Sequence, residues 1–297
     1  MTSLGTILSD NARTLVALVP AVRDGAIEAI HDARVATRRI RAALDLVAQH
    51  RPEPHLDEAA AIARRIARAL GRARDIDVSL ELLADLERRV PAAAHGAGVT
   101  RGHLIRQRTT ARRDLVRKVD ALPLDTLPTL VSIRLPRLDH VVAARTRERS
   151  GEVVEAIHYA SGVYFPKRAH AARVSIKKLR YLLEFSASPD ESALKVLRKS
   201  QQILGDAQDR QVLFDAVEEI GKTTARDDLE PLLAQVEAEG THLYDRFLQR
   251  RPELLAVCQR LAVEQPASRP RLLTGTVVMV AAVAAGSALR GARLRRA

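Results

Sequence analysis

The residues best suited to chemistry in this chain are cations at helical spacing, and they come in two copies. The segment His31-Asp-Ala-Arg-Val-Ala-Thr-Arg-Arg-Ile-Arg41 returns 139 residues later as His170-Ala-Ala-Arg-Val-Ser-Ile-Lys-Lys-Leu-Arg180. On a helix, His31, Arg34, Arg38 and Arg41 fall in one stripe about 80° wide and about 15 Å long. Ala33, Ala36, Ile40, Ala43, Leu44 and Val47 occupy the opposite side. In the second copy His170, Arg173, Lys177 and Arg180 share a face, backed by Ala172, Leu179, Leu182 and Leu183, while Arg39 and Lys178 lie off the stripes. An arginine fork makes two parallel charge-assisted bonds to phosphate oxygens, and a lysine offers a less directional point charge. Histidine adds a charge that switches near neutral pH, so binding through it tightens on acidification. Neither stripe interleaves a carboxylate at i±4, the usual relief for like charges on a solvated helix. Massed cations destabilise an empty protein, so the pattern implies an elongated anion held between two similar walls.

A second landmark follows each stripe. Leu70-Gly71-Arg-Ala-Arg-Asp75 is answered by Leu204-Gly205-Asp-Ala-Gln-Asp209, offset by 134, and Arg64 and Arg65 are matched by Arg198 and Lys199. Two landmarks in one order indicate a duplicated unit. Apolar residues recur at three- and four-residue intervals and strand signals are nearly absent, so the chain is expected to be all-α. Helices are expected at 3–18, 25–49, 56–70, 76–90 and 100–120, then at 138–160, 167–186, 191–204, 210–221, 226–250 and 253–263. Gly71 and Gly205 are expected as left-handed caps, with Asp75 and Asp209 capping the next helices. Short turns then give two bundles of about four helices each, packed side by side. The boundaries expected are 5–120 for the first half, a Pro-rich connection at 121–137, and 138–262 for the second half.

Net charge is +12 and the isoelectric point about 10.6, a range typical of proteins that meet polyanions or anionic membranes. Six arginines fall in the last 29 residues without an acid, so residues 1–268 carry only +6 and basicity must come from clustering. All eight aromatics lie after residue 150, leaving the first half without a base-stacking platform. One cysteine, Cys258, fits a reducing compartment and reads as an inert core thiol. The N-terminus lacks the pattern of a secretory signal, so a cytoplasmic location is expected. Catalysis finds little support. There is no HExxH or similar metal spacing, no phosphate-cradling glycine loop and no nucleophile elbow. Asp75 and Asp77 resemble a metal pair, but Asp77 becomes Gln211 in the second copy. No cofactor, metal or catalytic residue is expected.

These paired blocks resemble the signature of the CHAD domain (conserved histidine α-helical domain). The run Leu179-Arg180-Tyr181-Leu-Leu-Glu184-Phe is similar to that family's C-terminal half, and the likeness covers roughly residues 5–262. The resemblance implies two pseudo-twofold-related four-helix bundles around a basic central cleft. It implies a non-enzymatic module that binds inorganic polyphosphate and associates with polyphosphate granules. By position, the implied ligand residues are His31, Arg34, Arg38, Arg41 and Arg64, then His170, Arg173, Lys177, Arg180 and Arg198. Arg65, Lys199, Arg106 and Arg113 are secondary candidates, the last two from a basic run on the helix closing the first half, where a solvated face is an equal reading. Lys177 replaces an arginine, and Gln208 stands where the first half has Arg74, so the second half is expected to grip less tightly.

Residues 263–271 read as a linker and 272–297 as an apolar, then basic, tail. Leu272–Leu289 is uncharged over eighteen residues, about 27 Å as a helix and marginal for a bilayer. A membrane anchor, a helix docked on the body and a mobile tail touching granules or lipid stay open. Two rival functions stay open too: a nucleic-acid-binding helical protein, and a membrane-attached scaffold for acidic headgroups. No specific nucleic acid is expected, and the oligomeric state is left open.

Overall fold

The helical periodicity is realised along the chain. The computed structural model describes residues 4–48, 52–133, 139–186 and 188–263, mostly helix joined by turns and short irregular stretches, with no strand among them. The helices are α1 (Leu4–Arg23), α2 (Ile27–Ala48), α3 (Pro54–Arg89), α4 (Ala94–Asp120), the short α5 (Leu127–Leu130), α6 (Asp139–Ala160), α7 (Pro166–Glu184), α8 (Glu191–Gly221) and α9 (Glu230–Val263). Val263, the first residue of the linker expected at 263–271, ends α9; the rest of it and the tail expected at 272–297 lie outside the described residues. No helix among the described residues is long and apolar enough to cross a membrane.

Local chemistry explains the ends. Gly25, at φ 76°, closes α1 in a left-handed turn in which Ala26 donates to the Ala21 carbonyl and Gly25 to that of Val22. Gly162, at φ 112°, serves the turn between α6 and α7. Pro54 and Pro166 open α3 and α7, where a missing N–H costs nothing, each after a residue in extended conformation. Asp190 caps α8 by accepting from the Ala193 amide at 3.0 Å, and that bond holds its carboxyl down at about 2.

Two expectations are corrected. Gly71 and Asp75 lie inside one continuous α3, and Gly205 and Asp209 inside one continuous α8, so neither pair caps anything. Pro252 likewise sits within α9, which runs through the break expected at 250–253. Within the connection expected at 121–137, Leu122, Leu124, Leu127 and Val131 are buried against the first core.

Helices α1 to α4 pack in sequence, as do α6 to α9, with α6 also lying on α9. The first core is built from α1, α2 and the first part of α3, and is completed by Tyr181, Leu182 and Phe185 from the end of α7. The second joins α6, α7, the start of α8 and the end of α9, and buries Cys258, whose thiol is pushed up to about 12. A third core lies where the α3–α4 hairpin meets the α8–α9 hairpin, through Leu83, Leu86, Leu104, Leu213, Val217 and Leu232.

Candidate anion-binding site

Helices α2 and α7 hold the two stripes as the apolar pattern demands. Ala33, Ala36, Ile40, Ala43, Leu44 and Val47 are buried behind the first stripe, and Ala172, Leu179, Leu182 and Leu183 behind the second. That burial turns the cations outward but not fully into solvent. His31, Arg41 and His170 are exposed, whereas Arg34, Arg38, Arg173, Lys177 and Arg180 are half-buried.

The stripes face a shared space. Lys177 of α7 is pushed down to about 8, first by burial and then by repulsion from Arg173 beside it and from Arg38, Arg41 and Arg34 of α2. Arg38 and Arg173 are lowered mainly by burial; Arg34 and Arg173 act against Arg38, and Arg34 against Arg173. The Nε atoms of Arg38, Arg173 and Arg180 are buried without a hydrogen-bond acceptor. Such unpaired, partly desolvated donors are costly unless something anionic meets them.

The second landmark has a role the sequence hid. A Cβ on Gly71 would stand 3.0 Å from Arg34 Nη1, and one on Gly205 would stand 3.8 Å from Arg173 Nε. Gly71 gives Arg34 room to lie across α3, whereas a Cβ on Gly205 would make only ordinary contact with Arg173. One turn further on, Asp75 Oδ1 sits 3.7 Å from Arg34 Nη2. Burial raises Asp75 against the pull of Arg34, Arg173 and Arg74. Burial also pushes Asp209 up to about 6, helped by Asp206 and Asp75 and opposed by Arg173 and Arg210.

At one end the stripes open into a cavity of about 300 Å³ lined by Arg38, Arg41, Arg64, Lys177 and Lys178, with Arg145 and Arg149 from α6. Asp45 and Asp57 also reach it, over an apolar floor that includes Leu44, Leu56, Tyr181 and Leu182. Lys178, placed off the stripe by the helical wheel, therefore belongs to this lining. Arg145 and Arg149 were not singled out in the sequence, because α6 lies outside both repeated blocks. Each also has an acid at i+3, Glu148 and Glu152, and so reads as a solvated pair.

Other candidates are engaged elsewhere. Arg180 donates to Glu184 at 3.1 Å and lies over the Tyr181 ring, so a carboxylate at i+4 does relieve this stripe, against expectation. Arg198 pairs with Glu184 at 3.7 Å and Glu191 at 3.4 Å. His170 Nδ1 is 2.7 Å from Gln208 Oε1, which fixes the ring. Arg65, Lys199, Arg106 and Arg113 are exposed and outside the cavity lining. From the basic run on α4, Arg108 and Arg112 turn inward to the buried Asp77, at 2.7 and 3.5 Å. Asp77 thus offsets part of the charge of that run.

Comparison with known proteins adds three findings. The family model of the CHAD domain matches residues 6–218. The crystal structure of the CHAD domain from the plant Ricinus communis is similar over 88% of this chain and 90% of that one, with TM-score 0.60 and 23% identity. PptA from Streptomyces chartreusis is similar over 86% of this chain and 98% of that one, with TM-score 0.63 and 20% identity. No curated protein matches.

Proposed function

Since the chain belongs to the CHAD domain family, we propose that it binds linear inorganic polyphosphate, without chemistry upon it, in a groove walled by α2 and α7. The two halves, 5–120 and 138–262, act as pseudo-twofold-related four-helix bundles whose shared cleft is this groove, and 121–137 connects them. Arg34, Arg38 and Arg41 on one wall and Arg173, Lys177 and Arg180 on the other contact phosphate oxygens. Arg64 extends the first wall and Arg198 the second, and His31 and His170 mark the entrance. Binding at polyphosphate granules follows from the same contacts.

The observation that carries this reading is one cavity lined by Arg38, Arg41 and Arg64 of the first half and by Lys177 and Lys178 of the second. Lys177 is held low there first by burial and then by repulsion from Arg173, Arg38, Arg41 and Arg34. A chain bearing one charge per phosphate removes that repulsion along its whole length. Interior polyphosphate oxygens match the spacing-tolerant, fork-shaped donors of arginine. With about eight phosphates neutralised, affinity should fall with a log–log salt slope near −5 to −6.

The test is a titration of polyphosphate at two salt concentrations against the wild type and an Arg34→Ala, Arg38→Ala, Arg173→Ala, Lys177→Ala variant. Loss of retention with intact helical circular dichroism supports the reading, and unchanged affinity defeats it. Polyphosphate should also displace RNA or duplex DNA far more readily than either displaces polyphosphate.

A further inference from the structure

The cationic cavity has a counterpart, and the two are not alike in charge. A second groove is lined by Arg39, Glu184, Glu191 and Arg198 among others. In the register of the repeat these stand where Lys178, Asp45, Asp57 and Arg64 stand in the cavity. The facing helix makes the difference. Helix α6 brings Arg145 and Arg149 to the cavity, whereas α1 brings Asp10, Asn11 and Thr14 to the groove. The cavity therefore sets seven cationic side chains against two carboxylates, and the groove two against three. Both cations of the groove are not equally free: Arg198 already pairs with Glu184 and Glu191. In the cavity, the acids paired with Arg145 and Arg149 lie outside the lining.

Resting on the polyphosphate reading, we infer that the cavity captures the terminal phosphate of the chain, so that the protein grips the polymer by an end. An interior phosphate carries one negative charge. A terminal one carries up to two, as a phosphomonoester does. The doubly charged group gains most where cations are densest and partly desolvated, and the acid-rich groove disfavours it. The polymer then runs from the cavity past Arg38 and Lys177 towards Arg34 and Arg173.

Two measurements test this on the intact protein. The first is the number of protein molecules bound per chain at saturation, for short and long polyphosphates of defined length. End capture holds the number bound in the tighter class of sites at two or fewer however long the polymer; a tight class that grows in proportion to length overturns it. The second is affinity for polyphosphate whose two ends are capped as phosphoramidates of a neutral amine. Capping should weaken binding at least about tenfold, the scale of one lost charge-assisted contact; equal affinity overturns end capture while leaving polyphosphate binding intact. An Arg145→Ser, Arg149→Ser variant should lose the preference for free ends and still retain the polymer. Failure of the wild type to bind either form would remove the polyphosphate reading itself, and the inference with it.

Discussion

At the scale of single residues, the site is a set of cations held where they are least comfortable. Lys177 loses its proton near pH 8 in the folded state, against about 10.5 when unfolded. Between those values the unfolded chain holds more proton, so stability should rise as pH climbs through that window, and the full penalty applies below it. Lys177→Met should therefore raise the melting temperature of the empty protein at pH 7 by a few degrees while weakening polyphosphate retention, a trade that thermal scans and a binding titration read side by side. Asp209 has the opposite sign. Its carboxyl is raised from 3.8 to about 6, so the folded state holds more proton and stability should fall as pH rises across that interval. Asp209→Asn should flatten this fall in melting temperature and tighten binding at pH 7, because it removes a carboxylate that faces Arg173 and Arg210 beside Asp206 and Asp75. A variant that keeps the slope would show that another group sets it. The stripes themselves were legible because helical periodicity turns a repeated one-dimensional pattern into a repeated face. Arg145 and Arg149 were not, since which helix lies opposite a face is a tertiary fact and their spacing with Glu148 and Glu152 mimics a surface pair.

Among the elements, the repeat told where helices lie better than where they stop. Glycine before aspartate suggested two caps, yet both pairs lie inside helices that run straight through, and at Gly71 the missing Cβ leaves room for Arg34. The caps that exist at Gly25 and Gly162 depend on left-handed backbone, which no periodicity reveals. Close approach gives a discriminating pair of substitutions. Gly205→Ala meets only ordinary contact at 3.8 Å, so it should stabilise α8 by up to about 1 kcal/mol through helix propensity. Gly71→Ala meets Arg34 at 3.0 Å and should gain less while lowering polyphosphate affinity, since the guanidinium must shift. Denaturant titration of both variants, each followed by binding, tests the difference; equal gains with unaltered affinity would remove the role given to Gly71.

For the whole molecule, the repeat was readable in the sequence, but the packing that ties its two copies together was not. Tyr181, Leu182 and Phe185 belong by sequence to the second half and are buried in the first core. The third core joins the far ends of the long hairpins, with Arg89 of α3 bonded to Glu239 of α9 at 2.8 Å and Arg210 of α8 to the same carboxylate at 3.2 Å. Leu213→Ala should then cost about 2 to 5 kcal/mol of stability and lower it for both halves at once. A single unfolding transition in urea, shifted as one, is the expected result, and two separated transitions would contradict the coupling.

The repulsion around Lys177 reaches beyond recognition. A fold that is strained when vacant and relaxed when occupied ties its own survival to its cargo, because ligand that favours only the folded form deepens that form by mass action. On the polyphosphate reading proposed above, cells starved of the polymer would turn the protein over faster, and its steady-state abundance would track the polymer supply.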